Sequence, residues 1–76
     1  MRSVTLYGRP DCHLCDVART TLRQIQAVHP FVLHEVDIES DDELFARYLE
    51  RIPVIALDGE ELFDHFVDEQ ALRRKL

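Results

Sequence analysis

The residues of this chain best suited to chemistry are two cysteines, Cys12 and Cys15, which are the only cysteines among its 76 residues. Two thiols three positions apart can cycle between a dithiol and a disulfide. The same spacing also forms half of many zinc sites. Small secreted domains that depend on disulfides usually contain several of them, which this chain cannot form. The spacing therefore favours a reactive pair over a structural crosslink.

The segments around the pair predict a strand before it and a helix after it. A β-branched and aromatic run covers Ser3 to Tyr7, and Gly8-Arg9-Pro10-Asp11 ends it as a turn. Beyond the pair, apolar residues recur at the three-and-four spacing of one helix face until Pro30 stops the pattern. The members of this predicted face are Leu14, Val17, Ala18, Leu22, Ile25 and Val28. The helix therefore begins at the cysteines.

A cysteine at a helix N-terminus lies where free backbone N–H groups and the helix dipole favour an anion. Its thiol pKa then falls below the usual value of about 8.5. We therefore predict Cys12 as the attacking thiolate and Cys15, one turn later, as the resolving thiol. Arg9 and a protonated His13 would stabilise this thiolate, whereas nearby aspartates would oppose it.

The rest of the chain predicts three more strands and two more helices. A second strand covers Phe31 to Ile38, and a first strand joined to it through a helix should pair with it in parallel. Ser40 and Glu43 form a capping box that predicts a helix to about Leu49. Pro53–Leu57 and Glu60–Phe63, joined by an Asp58-Gly59 turn, predict a hairpin. Asp68 is the predicted cap of a last helix, with Val67 and Leu72 as its hydrophobic staple. The predicted fold class is α/β, with the order β-α-β-α-β-β-α and a four-stranded mixed sheet flanked by helices.

Composition excludes several function classes. A chain of 76 residues is predicted to form a single domain over residues 1–76. Its net charge of −6 disfavours nucleic acid and anionic lipid as partners. No apolar run approaches the roughly 20 residues that span a bilayer, and no secretory signal is apparent. We therefore expect a cytoplasmic protein without membrane association, and a monomer.

Nearly the whole chain resembles a small glutaredoxin-like member of the thioredoxin-fold superfamily. The segment from Tyr7 to Cys15 is similar to the glutaredoxin strand, cation and Cys-Pro-Tyr-Cys motif, with Arg9 at the cation position. Arg51-Ile52-Pro53-Val54 resembles the family's Thr-Val-Pro segment. The resemblance implies a thiol-disulfide oxidoreductase in which a cis-Pro53 and the Ile52 backbone shape the substrate groove. Its implied partners are a disulfide-containing protein or a low-molecular-weight thiol.

The chain departs from glutaredoxins where those proteins hold glutathione. Phe63 and Asp64 replace a glycine pair, and Phe66 replaces an acidic cap. Asp64 would repel the anionic tripeptide, and Phe63 lacks the tolerance of glycine for close approach. Glutathione is thus a disfavoured external reductant, and a thioredoxin-type reductase is the other candidate. We predict no tightly bound cofactor. Phe63, Phe66 and Leu62 are predicted to pack in the core.

The alternative function is a non-enzymatic metal-binding module. Cys12, Cys15, His29 and His34 fall within the spacing window of a two-Cys, two-His zinc site. Pro30 and the strand-like run after it oppose this reading, because such histidines normally share one helix. An iron-sulfur cluster completed by an external thiol is a second form of the alternative. The preferred prediction contains no metal.

Overall fold

A computed structural model describes all residues, 1–76. The strands and helices in chain order are β1 (Ser3–Gly8), α1 (His13–Val28), β2 (Val32–Asp37), α2 (Asp42–Tyr48), β3 (Val54–Leu57), β4 (Glu60–Asp64) and α3 (Glu69–Lys75). The predicted order β-α-β-α-β-β-α is confirmed. No helix in the fold combines the length and the apolarity needed to cross a bilayer.

The four strands form one mixed sheet in the order β2-β1-β3-β4. β1 runs parallel to β2 and antiparallel to β3, while β3 and β4 form an antiparallel hairpin. Asp58 and Gly59 connect the hairpin with φ angles of 49° and 89°, which is the conformation predicted from an Asp-Gly turn. The central strands are β1 and β3, and every residue of β3 is buried.

The main core lies between the sheet and the helices α1 and α3. Its buried members are Val4, Leu6, Ala18, Leu22, Ile25, Phe31, Ile55, Leu57 and Leu72. A smaller cluster of Ile38, Tyr48 and Val54 lies under α2. Val67 packs against the main core beside the Asp68 cap, whose carboxylate accepts a hydrogen bond from the Ala71 N–H at 3.0 Å.

The predicted apolar face of α1 is wrong in part. Leu14 and Val17 are about half exposed, and Val28 is more so. The helix packs on the sheet through Cys15, Ala18, Leu22 and Ile25, and successive residues of a helix point about 100° apart. The apolar stripe is therefore wider than the surface that the sheet covers.

The predicted cap of α2 is also wrong. A short 3-10 turn, Ile38–Ser40, follows the second strand, which therefore ends one residue earlier than predicted. Within it, the Ser40 hydroxyl donates a hydrogen bond to the Asp37 carbonyl. Asp41 caps α2 instead, because its carboxylate accepts from the N–H groups of Glu43 and Leu44. Asp is an equally good N-cap residue, so the helix begins only one residue away from the predicted position.

Candidate active site

Cys12 lies at the N-cap of α1, with extended backbone angles. Its Sγ accepts a hydrogen bond from the Cys15 N–H at 3.1 Å, which is one of the free donors at the start of the helix. The two cysteines are joined by a disulfide, with their Cα atoms 5.2 Å apart. Cys15 is 1% exposed, whereas Cys12 is only partly buried. An incoming reagent can therefore reach Cys12 before Cys15.

Gly8 supports the cysteine pair from the end of β1. A Cβ atom at this position would lie 3.0 Å from the Cys15 Sγ and 3.3 Å from its Cβ. Contacts that short force a neighbour to move, so the absence of a side chain at Gly8 lets the buried sulfur pack against the strand. The sequence pattern predicts only a turn role for Gly8. The signal for this second role was a glycine between a strand and the cysteines.

Pro53 is brought to the same end of the sheet by the pairing of β1 with β3. Tyr7 pairs with Val54 in antiparallel register. Gly8, which follows Tyr7, and Pro53, which precedes Val54, are therefore at the same end of the two strands. Pro53 is buried, and the Ile52–Pro53 peptide bond is cis. The Ile52 N–H donates to the Tyr48 carbonyl at 3.0 Å, while no group of the protein donates to the Ile52 carbonyl.

Arg51, directly before this segment, binds two carboxylates of β4. Its Nη2 donates to Glu61 Oε1 at 2.6 Å and its Nε to Asp64 Oδ2 at 3.1 Å. The guanidinium lies 5.5 Å from the ring centre of Tyr48, whose hydroxyl donates to the other oxygen of Glu61 at 2.9 Å. Tyr48 in turn packs on Tyr7 with a centroid distance of 4.7 Å. This Arg51 network was not predicted from the sequence, because its members come from α2, β4 and the loop before β3.

The Arg51 network shifts the acid-base equilibria of its members. Hydrogen bonds from Arg51, and then from Tyr48, lower the pKa of Glu61. The Arg51 hydrogen bond likewise lowers the pKa of Asp64. Burial and the bond to Glu61 raise the pKa of the Tyr48 phenol. The carboxylates are therefore held in their charged form and the phenol in its neutral form.

Arg9 and His13, predicted to tune Cys12, lie on either side of it in the chain. The Arg9 Nη2 pairs with Glu39 Oε2 at 2.8 Å, and its guanidinium lies 5.8 Å from the centre of the Phe45 ring. His13 is the exposed first residue of α1. The influence of either residue on the Cys12 thiolate stays a prediction.

The zinc ligand set considered from the sequence is not assembled. Cys12 and His29 cap opposite ends of α1, a helix of 16 residues, which places them about 26 Å apart at 1.5 Å per residue. His34 is exposed on the edge strand β2. No group of three or more His, Cys, Asp and Glu side chains is close enough to hold a metal ion. The four residues therefore do not form one site.

The predicted placement of Phe66 in the core is wrong. Leu62 and Phe63 do pack against the main core, but Phe66 is 65% exposed. β4 ends at Asp64 and His65 adopts a left-handed φ of 71°, which turns the chain before Phe66 is reached. The alternating pattern of the strand therefore does not extend to Phe66.

A family model for the "Glutaredoxin-like domain (DUF836)" matches residues 3–76. The chain belongs to this family. Two solved structures are similar to this glutaredoxin-like domain. A Nitrosomonas europaea protein is 31% identical with a TM-score of 0.87, covering 99% of this chain and 91% of its own. An X. campestris protein is 38% identical with a TM-score of 0.76, covering 95% of this chain and 92% of its own.

More distant structures share the thioredoxin fold with this glutaredoxin-like domain. Mitochondrial thioredoxin 3 of Saccharomyces cerevisiae, in its oxidised form, is 16% identical with a TM-score of 0.69 and is covered over 74% of its length. Thioredoxin-2 of the malaria parasite is 21% identical, with a TM-score of 0.73 and 80% of its length covered. The predicted family and fold class are confirmed. Together with the Cys12–Cys15 disulfide, they indicate redox activity.

Proposed function

We propose that this domain is a thiol-disulfide oxidoreductase in which Cys12 attacks and Cys15 resolves. The observation that carries the proposal is the asymmetry of the pair. Cys12 is accessible at a helix N-cap and its sulfur accepts a backbone hydrogen bond, whereas Cys15 is 1% exposed. Hydrogen bonding to the sulfur and the helix dipole both favour the thiolate of Cys12.

The reaction begins from the reduced pair. The Cys12 thiolate attacks one sulfur of a substrate disulfide, forming a mixed disulfide and releasing the other sulfur as a thiolate that takes a proton from solvent. Cys15 then loses its proton and attacks the Cys12 sulfur. The mixed disulfide breaks, the second substrate thiol leaves, and the Cys12–Cys15 disulfide forms. The substrate gains two electrons, and the pair loses them.

Residues Glu50–Pro53, the Pro53 segment, would hold a peptide substrate beside the cysteine pair. The Ile52 carbonyl has no partner within the protein and can accept an N–H from an extended chain. The substrate class is therefore a disulfide-containing protein, with a low-molecular-weight disulfide as the simpler case. We expect a monomer that works in a reducing compartment, the cytoplasm.

An external thiol must reduce the disulfide for a new cycle. Asp64 is paired with Arg51, so it is not the isolated anion that the sequence suggested. The Arg51 network still carries one net negative charge, because Glu61 and Asp64 outnumber Arg51. This charge disfavours anionic glutathione and favours a thioredoxin-type reductase as the electron donor.

The proposal is tested by reduction of a protein disulfide by the chemically reduced domain in single-turnover experiments. Cys12→Ser should show no turnover above background. Cys15→Ser should stop at a mixed disulfide through Cys12 that mass spectrometry detects. His34→Asn, on the exposed edge strand, is the control and should retain the wild-type rate. Turnover by Cys12→Ser would contradict the proposal.

Metal analysis of the freshly purified domain separates the proposal from the metal-binding alternative. The proposal expects no stoichiometric metal and a disulfide that opens and closes reversibly. Stoichiometric zinc or iron, removed by a chelator with loss of fold, would contradict it.

A further inference from the structure

His65 connects the end of β4 to the segment that carries Pro53. Its backbone N–H donates to the carbonyls of Pro53 at 2.8 Å and Arg51 at 3.2 Å. Its ring Nε2 lies 3.1 Å from the Glu50 carbonyl oxygen. One residue therefore contacts three carbonyls on either side of Ile52, the residue whose own carbonyl is free.

The ring of His65 faces a hydrogen-bond acceptor at each nitrogen. Nδ1 lies 3.2 Å from Asp64 Oδ1, opposite the contact of Nε2 with the Glu50 carbonyl. A neutral imidazole has one N–H and satisfies one of these acceptors, whereas an imidazolium satisfies both. Two charged groups surround the ring. Asp64 faces the ring through its Oδ1, and the Arg51 guanidinium binds the other carboxylate oxygen of Asp64, Oδ2. Both ring nitrogens of His65 therefore lie within hydrogen-bond distance of an acceptor.

We propose that His65 is a positioning residue for peptide substrates, which fixes the Glu50–Pro53 segment so that the Ile52 carbonyl points at the incoming chain. This assignment rests on the proposed thiol-disulfide exchange. His65 adopts a left-handed φ of 71°, which is uncommon for a residue with a side chain, and its backbone and ring contacts hold it there. Its side chain is 55% exposed and is not part of the core.

Substrates of different size separate positioning from stability. A peptide disulfide uses both the cysteines and the Ile52 carbonyl, whereas a small aryl disulfide has no peptide group and uses the cysteines alone. Loosening the segment should slow the peptide reaction and leave the aryl reaction unchanged. A general loss of folded structure would slow both reactions alike.

The test uses the chemically reduced domain in single-turnover experiments over a range of substrate concentrations, which gives kcat/KM for both disulfides with the wild type, His65→Asn and His34→Asn. Asn tolerates a left-handed φ, so the backbone conformation at position 65 is kept while the contact across to the Glu50 carbonyl is lost. For His65→Asn we expect the peptide kcat/KM to fall about three- to tenfold, mainly through KM. Its aryl rate should stay within about twofold. His34→Asn should match the wild type on both substrates.

Three results would overturn the assignment. An unchanged peptide rate in His65→Asn would show that the contacts have no effect on substrate, and an equal loss on both substrates would show a structural role alone. A wild type that exchanges with neither disulfide would remove the proposed function and the assignment with it.

Discussion

The two parts of the candidate site are held in place by different forces. The cysteine pair is held by local backbone geometry and close packing, since Cys12 caps the helix that follows it and Cys15 packs against Gly8. The Pro53 segment is held by polar side chains from elsewhere in the chain. Arg51 binds two carboxylates of β4, and His65 binds three neighbouring carbonyls.

This difference separates the part that we propose to react, the cysteine pair, from the part that we propose to bind the substrate, the Pro53 segment. Close packing around Cys15 does not depend on pH or salt, so the buried thiol keeps its position under all conditions that preserve the fold. The ion pairs at Arg51 are partly exposed and respond to pH and ionic strength. We therefore expect the reactivity of the pair and the affinity for substrate to be separable by mutation.

The largest effect on stability is expected from a change at the packed part of the site. Gly8→Ala places a methyl group 3.0 Å from the Cys15 sulfur. Overpacking of this kind should lower the free energy of unfolding by about 1–3 kcal/mol, measured by denaturant titration. Gly59→Asn is the control, because nothing lies within 4 Å of a Cβ there and Asn tolerates the left-handed turn. Equal effects of the two substitutions would contradict the packing role of Gly8.

A smaller effect, visible only in acid, is expected from the Arg51 network. The pKa values of Glu61 and Asp64 are lowered in the folded state, chiefly by Arg51, so the unfolded chain binds more protons below about pH 4.5. This contribution to stability is present above that pH and is lost as pH falls through the lowered values. In Arg51→Met the free energy of unfolding, measured by denaturant titration at a series of pH values, should therefore fall less steeply in acid than it does in the wild type.

The same profile measured for Arg74→Met provides the matched control. Arg74 is exposed in the last turn of α3 and forms no ion pair. Its replacement should leave the acid limb parallel to that of the wild type. An acid limb of unchanged slope in Arg51→Met would show that the carboxylates are not coupled to this arginine.

The smallest effect on stability is expected at Phe66. This side chain is 65% exposed, so Phe66→Ser should change the free energy of unfolding by no more than about 0.5 kcal/mol. Phe63→Ser is the contrasting variant. Phe63 packs against the main core, so removing its ring should lower the free energy of unfolding by a larger amount. A large loss of stability in Phe66→Ser would restore the core position that the sequence suggested.

The extent to which each part could be predicted follows the same division. Sequence patterns found the strand before Cys12, the helix that begins there and the Asp58-Gly59 turn, because each depends on residues close together in the chain. The partners of Arg51 lie 10 and 13 residues away, and no local pattern encodes such pairs. Leu14 and Phe66 were misplaced because an apolar residue does not itself specify whether another element covers it.

The most direct test of the account is the pH dependence of alkylation of the reduced domain, followed separately at each cysteine by mass spectrometry. A reactive thiolate at the helix N-cap predicts that Cys12 is alkylated with an apparent pKa below the usual value of about 8.5, while buried Cys15 stays unmodified. Equal reactivity of the two cysteines, or a Cys12 profile with an ordinary thiol pKa, would contradict the proposed mechanism.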